Sequence, residues 1–187
     1  EDKEYTLRIG GASDEFIQGN VPFEYYWGYL YVATPIGNLQ NIVNKKESHF
    51  AIGNVSTFVA SELSPDFISK RLMAILGLND ITDDANKYLV IEALNAPTVY
   101  YKSYYLLGWT GSMVMFLYSI GIMLFYPYLI PKSSKYFITG WACLIAIVLL
   151  NIFSNMWYAI GTVLIWPVIA HFFDRLRIFK DTSNDIS

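Results

Sequence analysis

The stretch that decides the fold runs from Gly108 to Ile130 and reads GWTGSMVMFLYSIGIMLFYPYLI, without a charged residue. A helix that rises about 1.5 Å per residue would carry it across a hydrocarbon core of about 30 Å. Farther along the chain, Lys132 and Lys135 are the only charged residues as far as Phe173. Such a long apolar stretch is typical of a bilayer, so we expect a membrane protein rather than a wholly soluble one.

The apolar half of the chain predicts three transmembrane helices, at about residues 108–130, 136–153 and 157–173. Residues 136–173 carry no charge and are too many for one span, because a span needs about 20 residues. Polar side chains lie near the middle of this run, where a tight turn would divide it: Asn151, Ser154 and Asn155. The alternative, one long buried helix, leaves this polar cluster without explanation.

Positive charges at the ends of the spans predict the orientation, because short loops rich in Lys and Arg stay in the cytoplasm. Basic residues follow the first and third spans: Lys132, Lys135, Arg175, Arg177 and Lys180. We therefore expect the first connection and a tail of residues 174–187 inside, and residues 1–107 outside as a large periplasmic loop. Residues 1–108 hold 8 basic and 13 acidic groups, which agrees with export.

The start of the chain, its cysteine content and its lack of known catalytic motifs limit the classes of protein that the sequence allows. The chain begins at Glu1 without a signal peptide, so we expect a C-terminal fragment of a longer protein. A single cysteine, Cys143, excludes an internal disulfide. The sequence has no P-loop, GxGxxG or GxSxG motif and no cluster with metal-ligand spacing, so no nucleotide, metal or serine nucleophile is expected.

Two helices are expected in the exported half. Residues 64–66, SPD, are typical of a helix start and Gly77 of a helix end, so the first would run to about Leu76. At 100° per residue its apolar side chains share one face with Arg71. Arg71 would either extend its guanidinium outward from a membrane surface or core, or bind a phosphate or carboxylate of a substrate. The second helix would cover residues 82–95.

An aromatic segment, residues 23–31, reads FEYYWGYLY. Tyr and Trp place their rings at a hydrocarbon boundary but also stack on sugars, so Tyr26 and Trp27 would form an interfacial belt or bind substrate. Glu24 is a candidate general base, because burial among the rings would raise its pKa. Proline and glycine then interrupt the apolar residues 32–39, which predicts a re-entrant or interfacial helix.

Residues 29–39, YLYVATPIGNL, resemble the Y-x-x-S/T-P-L/I-x-N-L segment in the large periplasmic loop of bacterial oligosaccharide repeat-unit polymerases, the Wzy-type O-antigen and capsule polymerases. Asn95 and Thr98 are similar to the family's N-x-x-T element. Residues 106–111, LLGWTG, are similar to its D-F-G-x-x-G turn into a transmembrane helix, with leucine in place of the acid and the aromatic residue. Order and spacing agree with the family over nearly all 187 residues.

The resemblance implies an α-helical, polytopic membrane protein of the C-type glycosyltransferase class. Such an enzyme polymerises oligosaccharide repeat units linked to undecaprenyl pyrophosphate into O-antigen, a part of lipopolysaccharide, or into capsule. It works at the periplasmic face of the bacterial inner membrane without nucleotide sugar, metal or other cofactor. The implied partners are lipid-linked oligosaccharides, membrane lipids and a chain-length regulator protein, and no nucleic acid.

The departure of a pyrophosphate needs cationic stabilisation, which arginine supplies without a metal. Arg8 and Arg71 are the only arginines before residue 108. Arg8 lies two residues before the pair Gly10 and Gly11, whose backbone could approach a ligand closely, although an ordinary exposed charge is the alternative. We therefore expect Arg8 and Glu24 to be catalytic, and we expect substrate binding by Arg71, Tyr26, Trp27 and Asn38.

Three alternative functions remain open from the sequence. An O-antigen ligase would share the topology and the lipid-linked donor, but His49 is a poor candidate for the functional histidine expected in that family. The chain could also be the C-terminal part of a polysaccharide transporter or flippase, although its three spans lack a charge at mid-depth. A purely structural membrane subunit is the third alternative.

Overall fold

The computed structural model describes residues 3–9, 11–19, 22–47, 49–90 and 95–184. Within these ranges the chain forms helices and no strand, which confirms the α class. A 3-10 turn, Ile52–Asn54, directly precedes the helix that begins at Val55. The helices are α1 (Lys3–Ile9), α2 (Asp14–Gln18), α3 (Phe23–Lys45), α4 (Val55–Glu62), α5 (Asp66–Leu76), α6 (Thr82–Asn86), α7 (Tyr100–Leu129), α8 (Phe137–Leu150), α9 (Met156–Ala159) and α10 (Thr162–Asn184).

Helix α7 begins at Tyr100, before the predicted span, and has a kink where that span was expected to start. Gly108 has φ 62° and ψ −144°, a backbone conformation that favours glycine. A Cβ on Gly111 would clash with the backbone oxygen of Ser103, so the tight kink requires glycine there as well. Residues 106–111 therefore turn the chain into an apolar segment, residues 109–129, which extends about 30 Å at roughly 1.5 Å per residue.

Among the described residues, α7 is the one helix that is long and apolar enough to cross a membrane. Only 11% of its most apolar window is buried, whereas a core helix of a soluble protein would be mostly buried. Its exposed side chains include Trp109, Met113, Phe116, Leu117, Leu124, Phe125 and Tyr128. This surface favours an apolar environment around α7, while the three-span topology remains a prediction.

The predicted second and third spans correspond to shorter helices. Helix α8 has 14 residues, about 21 Å of helix, which is less than a hydrocarbon core of about 30 Å. The third predicted span is divided between α9 and α10, and α10 continues through the expected tail to Asn184. The polar turn between α8 and α9 is present: Asn151 Oδ1 accepts from the backbone N–H of Met156, and Asn155 Oδ1 accepts from that of Tyr158.

The C-terminal helices pack around one apolar cluster between α7, α8, α9 and α10. Trp157 is a large buried member of this cluster, with 2% exposure, and its indole N–H donates to Ser119 Oγ at 2.9 Å. The Tyr126 hydroxyl donates to the backbone oxygen of Leu164 at 3.0 Å. These contacts fasten α7 to α9 and α10. The other buried members of the cluster are Val99, Met115, Ile130, Leu144 and Ile147.

Residues 32–39, for which the sequence predicts a re-entrant or interfacial helix, are helical and belong to α3. The helix continues through Pro35, which is buried. Proline removes one backbone hydrogen bond, but two asparagines on α3 anchor it to a distant part of the chain. Asn38 Oδ1 accepts from the backbone N–H of Val90 at 2.9 Å, and Asn41 Nδ2 donates to the backbone oxygen of Tyr88 at 2.6 Å. Its position relative to a membrane remains a prediction.

The same contacts explain why α6 is shorter than predicted. The second exported helix was expected to reach Asn95 but ends at Asn86. Beyond it, the backbone groups of Tyr88 and Val90 bind side chains of α3 instead of continuing a helix. Helix α5 follows the prediction to its end at Leu76, where Gly77 has φ 62° and its N–H binds the carbonyls of the last turn.

Candidate functional site

A polar cavity lies between the end of α4, the side of α5, the start of α7 and the turn before α9. Its volume is about 470 Å³, which is within the range of ligand sites. Four charged side chains line it, Glu62, Lys70, Asp80 and Lys102. The uncharged polar side chains in its wall are Ser61, Thr82, Thr98, Ser154, Asn155 and Tyr158.

Glu62, the last residue of α4, is the buried acid of this cavity. It is 2% exposed, and its carboxylate accepts from Asn155 Nδ2 at 3.0 Å and from Ser61 Oγ at 3.2 Å. Asn155 also donates to the backbone oxygen of Glu62 at 2.9 Å. Burial raises the pKa of Glu62 to about 7, against the opposing effects of Asn155, Lys102 and Ser61. The carboxyl therefore changes its charge near neutral pH.

A hydrogen-bonded chain of three side chains also lines the cavity. Lys102 Nζ donates to Thr82 Oγ1 at 2.7 Å, and Thr82 Oγ1 donates to Asp80 Oδ1 at 2.6 Å. This hydroxyl is the main cause of a lowered pKa of Asp80, with a smaller contribution from the positive charge of Lys102. An ammonium has three N–H donors, so Lys102 can bind a further anionic oxygen while it holds Thr82.

The N-terminal half of α5 supplies the second cation of the cavity. Lys70 Nζ pairs with Asp66 at 2.7 Å, one helical turn earlier, and Tyr158 also hydrogen-bonds to Asp66. The Lys70 side chain is 71% exposed, so solvent weakens this pair. Lys70 can therefore exchange Asp66 for an anionic ligand at little cost.

The cavity combines a carboxyl with a pKa near neutral and two ammonium groups. A carboxylate of this pKa is suited to general acid-base chemistry at physiological pH. Lysine is a point-charge ligand for phosphate, so the two lysines are suited to an anionic leaving group. Within the described ranges, no group of three or more His, Cys, Asp or Glu is arranged to hold a metal ion.

Arg8 lies far along the chain from this cavity, on the exposed side of α1. Its side chain is 54% exposed, and its guanidinium pairs with Glu4 at 2.8 Å and with Asp14 at 3.0 Å. These carboxylates, Glu4 first, raise the pKa of Arg8. An anionic substrate would have to displace both carboxylates, and the catalytic role of Arg8 remains a prediction.

The aromatic side chains of residues 23–31 lie partly in a small core and partly on the surface. Tyr26 is buried among α1, α2 and α3, and its hydroxyl donates to the backbone oxygen of Leu7 at 3.2 Å. Trp27 is 37% exposed. Glu24 is exposed, so the expectation that aromatic rings bury it is wrong. Successive side chains of a helix point in different directions, and Glu24 lies on the outer side of α3.

The last two predicted site residues are also outside the cavity. Asn38 is fully buried, where its amide donates to the backbone oxygen of Ala96 at 3.2 Å. Arg71 is exposed, as are Phe67, Ile68 and Ile75 on the same side of α5. The predicted apolar face of α5 thus faces outward, and among the described residues that line the cavity none of the six predicted site residues is found.

The sequence contains a signal for Glu62 that the analysis of motifs missed. Glu62 is the single acid between Glu47 and Asp66, and it ends an otherwise uncharged helix. Thr98, from the N-x-x-T element, is the one residue of the family resemblance that lines the cavity. Its partner in that element, Asn95, is exposed.

No family model, curated protein or solved structure matches the chain.

Proposed function

We propose that the chain belongs to a membrane glycosyltransferase that polymerises oligosaccharide repeat units linked to undecaprenyl pyrophosphate, at the outer face of the bacterial inner membrane. The observation that carries the proposal is Glu62, a buried acid with a pKa of about 7 in a cavity that also holds two lysines. In this proposal Glu62 is the general base in place of Glu24, and the lysines of the cavity stabilise the pyrophosphate in place of Arg8.

The proposed reaction forms one C–O bond and breaks another. A hydroxyl oxygen of the acceptor glycan attacks the anomeric carbon of the donor, and its proton passes to the Glu62 carboxylate. The bond from the anomeric carbon to the pyrophosphate breaks, and the departing oxygen keeps the electron pair. Lys102 and Lys70 stabilise the charge on that pyrophosphate, so the step needs no metal.

Two long-range contacts support the proposed three-span topology. Lys135 Nζ pairs with Asp174 at 2.6 Å, so the connection after α7 lies beside the part of α10 where the third span would end. At the other end, the backbone N–H of Val99 donates to the carbonyl of Asn151 at 2.9 Å. The turn between α8 and α9 therefore lies beside the half of the chain that we propose to be exported, together with the Glu62 cavity.

Glu62→Gln tests the proposal, because glutamine keeps the shape of the side chain but cannot accept the proton. In membranes supplied with lipid-linked repeat units, this variant should leave single units where the wild type makes a ladder of polymer. Glu24→Gln is the matched control, since it removes an exposed acid and should preserve the ladder. A normal ladder from Glu62→Gln at equal abundance would remove Glu62 from the reaction.

A further inference from the structure

The two lysines of the Glu62 cavity are held by partners of different charge. Lys70 Nζ pairs with the carboxylate of Asp66 at 2.7 Å, whereas Lys102 Nζ donates to the neutral hydroxyl of Thr82 at 2.7 Å. Within the part of the chain that the structure describes, the ion pairs do not include Lys102. The positive charge of Lys102 is therefore not neutralised by a carboxylate in direct contact.

The Thr82 hydroxyl has one proton, and this fixes the direction of both of its hydrogen bonds. An ammonium has no acceptor, so the hydroxyl oxygen must accept from Lys102 Nζ. The hydroxyl proton is then donated to Asp80 Oδ1 at 2.6 Å. Asp80 Oδ1 also accepts from the backbone N–H of Thr82 at 2.8 Å, so the carboxylate is itself held at the start of α6. The hydroxyl thus has a single orientation in which it binds both charged groups.

The position of Thr82 between two opposite charges has a consequence for Lys102. Asp80 is exposed and Lys102 is partly buried, and both line the cavity. Without the hydroxyl between them, the ammonium and the carboxylate would be free to form a direct ion pair, which would neutralise the cation that the cavity offers to a ligand. With the hydroxyl in place, Lys102 keeps further N–H donors for an anionic oxygen.

We propose that Thr82 is a positioning residue: its hydroxyl holds Lys102 Nζ in the cavity and keeps it from pairing with Asp80, so that Lys102 can bind the departing pyrophosphate. This inference rests on the proposed function and adds the residue that keeps its cation available. Thr82 acts through Lys102 and does not need to touch the substrate. Lys70 differs, because an anionic ligand must first displace its Asp66 partner.

Binding of inorganic pyrophosphate to the whole protein in lipid nanodiscs tests the proposal without the polymerisation reaction. Thr82→Val keeps the shape of the side chain but removes the hydroxyl, and we expect roughly tenfold weaker binding. Thr82→Ser is the matched control, since it keeps the hydroxyl and should bind as the wild type does. Thr82→Ala removes the same hydroxyl with a smaller side chain, and it gives the same test if valine disturbs α6. Unchanged binding without the hydroxyl would overturn the proposal.

A double-mutant cycle shows whether Thr82 acts through Lys102. Lys102→Met removes the ammonium, and in that background Thr82→Val should cause no further loss of pyrophosphate affinity. An equal loss in both backgrounds would overturn the proposal, because Thr82 would then act on the ligand by another route.

The pH profile of polymer formation is a second readout, which a merely structural role of Thr82 would not change. Burial raises the pKa of Glu62, the positive charge of Lys102 opposes this effect, and the negative charge of Asp80 adds to it. If Thr82→Val lets Asp80 neutralise Lys102, the midpoint of the profile should move to higher pH, as in Lys102→Met. Thr82→Ser should keep the midpoint of the wild type. A midpoint that moves in Lys102→Met but not in Thr82→Val would overturn the proposal.

The outcomes separate the positioning role from the catalytic proposal. If Glu62→Gln abolishes polymer but the cycle shows no coupling between Thr82 and Lys102, the role of Thr82 is wrong and the function stands. If the cycle shows coupling in pyrophosphate binding but Glu62→Gln still makes polymer, the role of Thr82 in anion binding stands and the catalytic role of Glu62 is wrong.

Discussion

Replacing Glu62 with Gln should remove a pH-dependent loss of stability. Burial raises the pKa of Glu62 from its ordinary value of 4.5 to about 7. Between these two pH values the unfolded chain releases the proton, whereas the folded protein retains it. The stability that the neutral carboxyl contributes is therefore fully present below pH 4.5, and it is lost as the pH rises through 7. At about 1.4 kcal/mol per pH unit, this loss is about 3 kcal/mol.

Unfolding of the detergent-solubilised protein at pH 5 and pH 8 measures this effect. Between the two values, the free energy of unfolding of the wild type should fall by about 3 kcal/mol more than that of Glu62→Gln. For a chain of this size the loss corresponds to about 6–12 °C in Tm. The two proteins differ at Glu62 alone, so the contributions that they share cancel in the comparison.

The control for this measurement is Glu24→Gln, which removes an exposed acid and should keep the pH dependence of the wild type. If Glu62→Gln loses as much stability as the wild type between pH 5 and pH 8, Glu62 is not held neutral by burial. The account of the cavity would then be wrong at its first step.

Four other predictions follow from the same contacts. Polymer formation should rise with pH and reach half its maximum near pH 7, because only ionised Glu62 accepts a proton; a pH–rate profile of wild-type membranes measures this, and a flat profile would contradict it. Asn155→Leu removes a donor to the carboxylate, so the midpoint of that profile should move to higher pH and the free energy of unfolding should fall by about 1–3 kcal/mol. Arg71→Leu, at an exposed position on the apolar side of α5, should leave the length distribution of the polymer unchanged, and a lost glycan ladder would return Arg71 to the site. Reporter fusions after Lys87, Ser134 and Asp181 should give outside, inside and inside signals, in that order. An inside signal at Lys87 would overturn the topology.

Sequence patterns predict a helix end correctly where the residues that cause it lie at that end. Helix α5 ends at Gly77 because glycine adopts a left-handed conformation at little cost, and this is visible in the sequence. The apolar run after Gly108 predicted the exposed segment of α7, and the polar residues near position 155 predicted a turn. In each case the signal lies within a few residues of the feature.

Features that depend on distant contacts could not be predicted in this way. Asn38 binds backbone groups of Val90 and Ala96, which are 52 and 58 residues away. These hydrogen bonds anchor α3 to the chain after α6, where the backbone binds α3 instead of continuing the helix. Glu62 and Asn155 are 93 residues apart, so neither residue alone indicates a buried acid with a neutral-range pKa. Glu24 has aromatic neighbours in the sequence, but the structure leaves its side chain exposed.

The proposed polymerase activity has one chemical requirement that a purely structural membrane subunit would not have. Each new glycosidic bond must release one undecaprenyl pyrophosphate, because the donor glycan leaves that lipid when it is transferred.

The most direct test is therefore to supply the protein in nanodiscs with one defined lipid-linked repeat unit and to count both products. We predict one undecaprenyl pyrophosphate released for each repeat unit added to the polymer, and loss of both products in Glu62→Gln with Glu24→Gln unchanged. Release of lipid without polymer, or no release by an intact wild-type protein, would contradict the assignment as a repeat-unit polymerase.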